Sequence, residues 1–79
     1  MLLENHTLFY RTSCPYCIKV LRFMESHGIA TNMADTTIPE NVARLVEIGG
    51  KRQVPCLVIN GQALYESDDI VAYLAGKLA

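Results

Sequence analysis

The apolar positions change period along the chain, and each change marks an element. Residues 7–10, Thr-Leu-Phe-Tyr, form a short apolar run that stops at the polar Arg11-Thr12-Ser13, which predicts a strand. From residue 15 to about 27 the period becomes helical. Cys17, Val20, Leu21, Met24 and Gly28 line one face, while Lys19, Arg22 and Glu25 line another. Pro15 suits the first turn of a helix, where the N–H it lacks would have had no partner. Gly28 offers a C-terminal stop. Residues 29–35 alternate loosely and predict a second strand.

Thr37 and Glu40 have the spacing of a capping box, with Pro39 near the first turn. The helix they open is expected to carry Val42, Leu45, Val46 and Ile48 inward and to end at Gly49-Gly50. After a basic turn at Lys51-Arg52, residues 54–59 predict a strand interrupted near its start by Pro55. Asn60-Gly61 is the strongest hairpin signal in the chain and joins that strand to a partner at residues 62–65. Ser67 reads as an N-cap, and Asp68 and Asp69 suit the positive end of a helix dipole. The apolar stripe of that last helix is Ile70, Val71, Leu74 and Leu78. The order is βαβαββα. Two βα units imply a parallel strand pair through right-handed crossovers, and the hairpin adds two antiparallel strands. An α/β domain follows, with a four-stranded mixed sheet and helices on both faces.

Length changes this picture little: 79 residues accommodate one domain, spanning 1–79, with a thin core. Leu, Ile, Val and Phe together exceed the share of about one-fifth below which disorder is the rule. The net charge of −1 and pI near 6.0, with both signs mixed along the chain, leave no nucleic-acid footprint and no polybasic membrane patch. Met1 to His6 lacks the basic and sustained apolar regions of a signal peptide. The apolar runs fall far short of the roughly 20 residues that span a bilayer. A soluble, cytoplasmic monomer is expected, with no membrane or nucleic-acid partner.

Three cysteines are too few, and odd in number, for a disulfide framework, so chemistry or metal binding comes forward. Cys14 stands at the mouth of the first helix and Cys17 nearly one turn on, so both sulfurs lie on one side. The helix dipole and the free N–H groups near Tyr16 and Cys17 favour a thiolate at Cys14, and Arg11 and Lys19 can add positive potential. Cys17 faces inward and is expected to stay protonated until it resolves a mixed disulfide. Zinc needs four ligands, and beyond the pair only Cys56, His6 and His27 remain, at spacings that match no zinc pattern. No metal site is expected. Cys-x-x-Cys near a βαβ pattern reads as a redox motif, without choosing among the families that use it.

Tyr10-Arg11-Thr12-Ser13-Cys14-Pro15-Tyr16-Cys17 resembles the dithiol active site of the glutaredoxins, with Cys-Pro-Tyr-Cys intact. The resemblance runs over nearly the whole chain. Val54-Pro55 is similar to the family's Val-Pro dipeptide, whose proline is cis and lies beside the active-site sulfurs. Ser67-Asp68-Asp69 is similar to the segment that binds the γ-glutamyl end of glutathione, and Arg11 falls where the family commonly has a lysine that helps to hold that ligand. The resemblance implies a thioredoxin fold. It also implies a thiol–disulfide oxidoreductase acting on protein disulfides and glutathione mixed disulfides, with Cys14 as nucleophile and Cys17 as resolving thiol. Glutathione is then the reductant, with no tightly bound cofactor, and disulfide-bonded or glutathionylated proteins are the partners. The implied glutathione site comprises Arg11, Tyr16, Gln53, Val54, Pro55, Ser67 and Asp68.

Each of these residues also has an ordinary structural reading: a helix cap at Ser67, an edge proline at Pro55, a solvated turn at Lys51-Arg52. Gln53 stands where the family usually has threonine, and Tyr65-Glu66 replaces a common Gly-Gly. Leu64-Tyr65-Glu66-Ser67 is instead similar to the N-terminal domain of glutathione transferases. Two other readings stay open: a [2Fe–2S] cluster carrier, as some glutaredoxins are, and a disulfide reductant served by thioredoxin reductase. Cys56 is either a small apolar filler or a further redox group.

Overall fold

The computed structural model describes residues 1–78, so the last residue of the expected 1–79 domain lies outside the described residues. The elements follow the predicted order: β1 (Leu2–Tyr10), α1 (Pro15–Ser26), β2 (Ala30–Asp35), α2 (Pro39–Gly49), β3 (Cys56–Ile59), β4 (Gln62–Tyr65) and α3 (Ser67–Lys77). They form a four-stranded sheet in the order β2-β1-β3-β4. β1 and β2 are parallel, as a βαβ crossover requires, while β3 runs antiparallel to both β1 and β4. Both the α/β class and the mixed sheet match the expectation.

Alternation along the central strands divides the core into two layers. Leu8 and its cross-strand partner Leu57 face one side, where Val20 and Met24 of α1 and Ile70 and Leu74 of α3 cover them. Phe9 and its partner Cys56, with Val58, face the other side, against Ala34 of β2 and Leu45 of α2. Neighbouring residues of a strand point to opposite faces, so burial on both sides demands the continuous apolar runs seen in β1 and β3.

Local expectations are corrected in four elements. β1 begins at Leu2 rather than at residue 7, because the polar Glu4-Asn5-His6 disguise its start. Asn5 adopts φ 60°, the pairing with β2 shifts register between Leu2 and Thr7, and the His6 side chain turns inward. There the His6 ring bonds the Glu4 carbonyl through Nδ1 and the Tyr73 hydroxyl through Nε2, both at 2.7 Å. β3 begins at Cys56 rather than at residue 54, because Pro55 has no N–H for the ladder.

In α2, Thr37 is not the cap. Its N–H and hydroxyl bond Asp35 Oδ1 at 2.9 and 2.8 Å, and Ile38 occupies the N-cap position without a side-chain bond. Of the four residues expected inward, Leu45 is fully buried and Val42 half-buried, while Val46 and Ile48 remain 38% and 39% exposed. α2 lies over one sheet face alone, so only a narrow stripe meets the core. Its end is set by both glycines: Gly50 adopts φ 78°, and a Cβ at Gly49 would overlap the Tyr65 hydroxyl.

In α3, Ser67 is the first helical residue, buried at 7% exposure, and Glu66 takes the N-cap position at φ 72°. Leu78 closes the helix at 39% exposure rather than joining the stripe.

Leu57→Ala is expected to destabilise the fold by about 2–5 kcal/mol through the cavity it leaves. Ile48→Ala is expected to cost under about 1 kcal/mol, being a surface change. Urea unfolding of the two variants beside the parent measures both.

Candidate functional site

The two cysteines owe their different settings to the turn that ends β1. Cys14 N–H donates to the Arg11 carbonyl at 3.3 Å, closing the turn, and Cys14 takes the N-cap position of α1 in extended geometry. Pro15 then enters the first helical position, as its missing N–H allows. Three residues on, the helix carries Cys17 into the core at 0% exposure, while Cys14 stays half-buried. Both are free thiols.

Their acidities are driven apart. Burial is the largest single influence on Cys14 and opposes ionisation. It is outweighed together by the Cys17 N–H, the Cys17 thiol, the Tyr16 N–H and the Arg11 charge, so its pKa falls below the ordinary 9.0. No acidic residue sits in the first turn of α1 to oppose this. At Cys17, burial dominates and raises the thiol to about 11. The Arg11 N–H, 3.4 Å from its sulfur, offsets part of the rise, and the neighbouring Cys14 adds to it. The Cys14 thiol is thus the more acidic of the two, and Cys17 is held against ionisation by its burial.

A cleft of about 370 Å³ opens beside Tyr16. Gln53, Val54 and Pro55 form one wall, and Glu66, Ser67 and Asp68 at the start of α3 form the other. The Val54-Pro55 peptide bond is cis. Six of the residues named from sequence therefore meet in one cleft: Tyr16, Gln53, Val54, Pro55, Ser67 and Asp68. Arg11 is not among its walls; it lies at the cysteine turn and acts there on the thiols. Tyr16 is 66% exposed, an open flank of the cleft.

Two polar ties were not anticipated. Gln53 Nε2 donates to Glu66 Oε1 at 3.1 Å, joining the two walls, so the two departures from the glutaredoxin pattern are partners. Lys19 pairs with the Asp68 carboxylate instead of adding its charge to Cys14; Arg11 is the cation that acts on that thiol. Spacing offered no signal for either tie, since Gln53–Glu66 and Lys19–Asp68 are distant in sequence.

Cys56 packs at 0% exposure in the layer under α2 with Phe9 and Leu45. Burial raises its pKa, against smaller lowering bonds from the Tyr65 hydroxyl and the Leu64 backbone. This fits a small core filler.

Residues 8–78 match the family described as glutathione S-transferase, N-terminal domain. The chain belongs to that family. The transferase likeness thus reaches far beyond Leu64-Tyr65-Glu66-Ser67. Likeness to glutaredoxins accompanies it. The chain is 36% identical over 77 residues to glutaredoxin-C4 of Arabidopsis thaliana, covering 91% of this chain and 57% of that protein. A wheat glutaredoxin structure superposes with a TM-score of 0.68 at 29% identity, over 94% of this chain and 74% of that one. Glutathione transferase Omega 3C from Trametes versicolor superposes with a TM-score of 0.82 at 21% identity, covering 96% of this chain and 34% of that one, a likeness of fold. The chain spans little more than half of its curated relative and a third of the transferase. Its architecture is the thioredoxin fold.

Alkylation by iodoacetamide, followed residue by residue with mass spectrometry, is expected to label Cys14 with a midpoint below pH 9.0. Cys17 is expected to resist labelling until the pH approaches about 11. The thiolate is the reactive form, so each rate rises as pH climbs through that group's own pKa.

Proposed function

We propose that this domain is a glutathione-dependent thiol–disulfide oxidoreductase that works through Cys14 and Cys17. The opposed acidities of the two thiols carry the reading: a lowered Cys14 at a helix start, and a Cys17 raised to about 11 one turn on. A merely structural pair has no need of that contrast, whereas disulfide exchange needs a thiolate to attack and a protonated neighbour held in reserve.

In this mechanism the Cys14 thiolate attacks the glutathione sulfur of a glutathionylated protein. The old disulfide breaks, the protein leaves as a thiolate, and Cys14 is left bonded to glutathione. A second glutathione thiolate then attacks the glutathionyl sulfur. Glutathione disulfide leaves and Cys14 returns as thiolate. For a protein disulfide, Cys14 forms a mixed disulfide with the substrate. Cys17 then gives up its proton and displaces the substrate thiol, and two glutathione molecules reduce the resulting Cys14–Cys17 bond. Forming the mixed disulfide removes the neighbouring Cys14 thiolate, which is one of the influences that hold the Cys17 thiol up, while burial continues to oppose its ionisation.

The cleft suits the tripeptide in stages. The Val54 backbone can hydrogen-bond the cysteinyl part as an added strand does. The first N–H groups of α3, at Ser67, can receive the γ-glutamyl carboxylate. Asp68 can accept the adjacent ammonium in exchange for Lys19, and Gln53 in the wall, with Arg11 from the neighbouring cysteine turn outside it, offers donors to the glycyl carboxylate. Tyr16 flanks the sulfur. We place the activity in the cytoplasm as a soluble monomer. Among the described residues, no helix is long and apolar enough to cross a membrane.

The test is turnover of a glutathione mixed disulfide coupled to glutathione reductase and NADPH. Turnover well above the uncatalysed rate is expected. Cys14→Ser is expected to abolish it, and Cys17→Ser to spare it while impairing reduction of a protein disulfide. Full activity in Cys14→Ser would overturn the reading.

A further inference from the structure

A second depression, of about 480 Å³, lies on the α2 face at the other end of the sheet. Asn5 and Asn60 meet on its floor, where the Asn60 N–H donates to the Asn5 carbonyl at 2.9 Å. The groove shares no wall residue with the cleft beside Tyr16 and lies on the α2 face, opposite the face that α1 covers, so it is separate from the thiol site. α2 buries Leu45 against the sheet but leaves Arg44 and Ile48 on the rim.

The chemistry of the groove is one-sided. Arg44 is the single charged residue in its walls, and its guanidinium carbon stands 5.7 Å from the centroid of the buried Phe9 ring. Among the described residues no carboxylate pairs with it, the one ion pair being Lys19–Asp68. Three exposed carboxamides, those of Asn5, Asn32 and Asn60, share the groove with it. Ile48 and Val58 supply apolar wall.

We propose that this groove binds a small organic monocarboxylate. The Arg44 fork matches a carboxylate through paired charge-assisted hydrogen bonds. The carboxamides add neutral donors without an opposing charge, and the ligand's apolar body rests on Ile48 and Val58. One cation matches one negative charge; there is no second cation in the walls for a phosphate dianion. Ile48, an apolar side chain left 39% exposed in a helix expected to bury it, then has a role as ligand-facing wall.

Titration of the ¹⁵N-labelled protein with benzoate, and separately with inorganic phosphate, tests this by the side-chain amide signals of Asn5, Asn32 and Asn60. Saturable shifts with benzoate are expected, with phosphate binding more weakly. Arg44→Gln is expected to weaken benzoate by about tenfold or more, the scale of a lost charged hydrogen-bond pair. Ile48→Glu, a surface change that sets a like charge against the ligand, is expected to abolish the shifts. Unchanged alkylation of Cys14 in both variants shows that the fold and thiol site are intact. No saturable shift at millimolar benzoate, equal binding by Arg44→Gln, or phosphate binding as tightly as benzoate would overturn the proposal.

Discussion

The first turn of α1 has to present one thiol to solvent and sink another into the core within three residues, and the rest of the molecule is arranged around that demand. A helix start meets it because its free N–H groups favour charge at the cap, while one further turn brings the chain down onto the sheet. Cys17 reaches 0% exposure on the face of α1 that also buries Val20 and Met24. The same burial that stabilises the layer raises the Cys17 thiol, so core packing and reactivity are one effect seen at two atoms. Arg11 serves both thiols, its charge favouring the Cys14 thiolate and its N–H reaching the Cys17 sulfur.

The cleft beside this turn is assembled from three distant pieces of chain. Antiparallel pairing of β1 with β3 brings the segment before Cys56 alongside the end of β1, and the β3–β4 hairpin returns the chain to the start of α3. Tyr16, Pro55 and Ser67 are thereby gathered at one end of the sheet. The Gln53–Glu66 bond ties the two walls, and the Lys19–Asp68 pair ties α1 to α3 across the rim. Exposed pairs of this kind contribute little to stability. Their importance lies in the polar groups they commit before any ligand arrives. Asp68 has a cation on it, and Glu66 a neutral partner.

The combination of glutaredoxin-like thiols with a transferase-type Tyr-Glu-Ser segment is coherent in physical terms. Both families start from one fold, and a helix N-terminus facing the cis-proline segment is a general receptor for the anionic end of a peptide.

Sequence alone determined the element order, the parallel βαβ half, the hairpin at Asn60-Gly61 and the pairing of Cys14 with Cys17 in one helix. These follow from local rules, namely hydrophobic period, turn chemistry and helix geometry, that act over a few residues. Tertiary structure decided what local rules do not reach. It drew Glu4-Asn5-His6 into β1, where the His6 ring turns inward and bonds the half-buried Tyr73 hydroxyl. It left Val46 and Ile48 on the surface, because α2 covers one sheet face and only a narrow stripe meets the core. It moved the cap of α3 from Ser67 to Glu66 and assigned Lys19 to Asp68, pairings between residues far apart in the chain. Period reports which face of an element is apolar; how much of that face is covered depends on which neighbour arrives, and that is set only when the whole sheet closes.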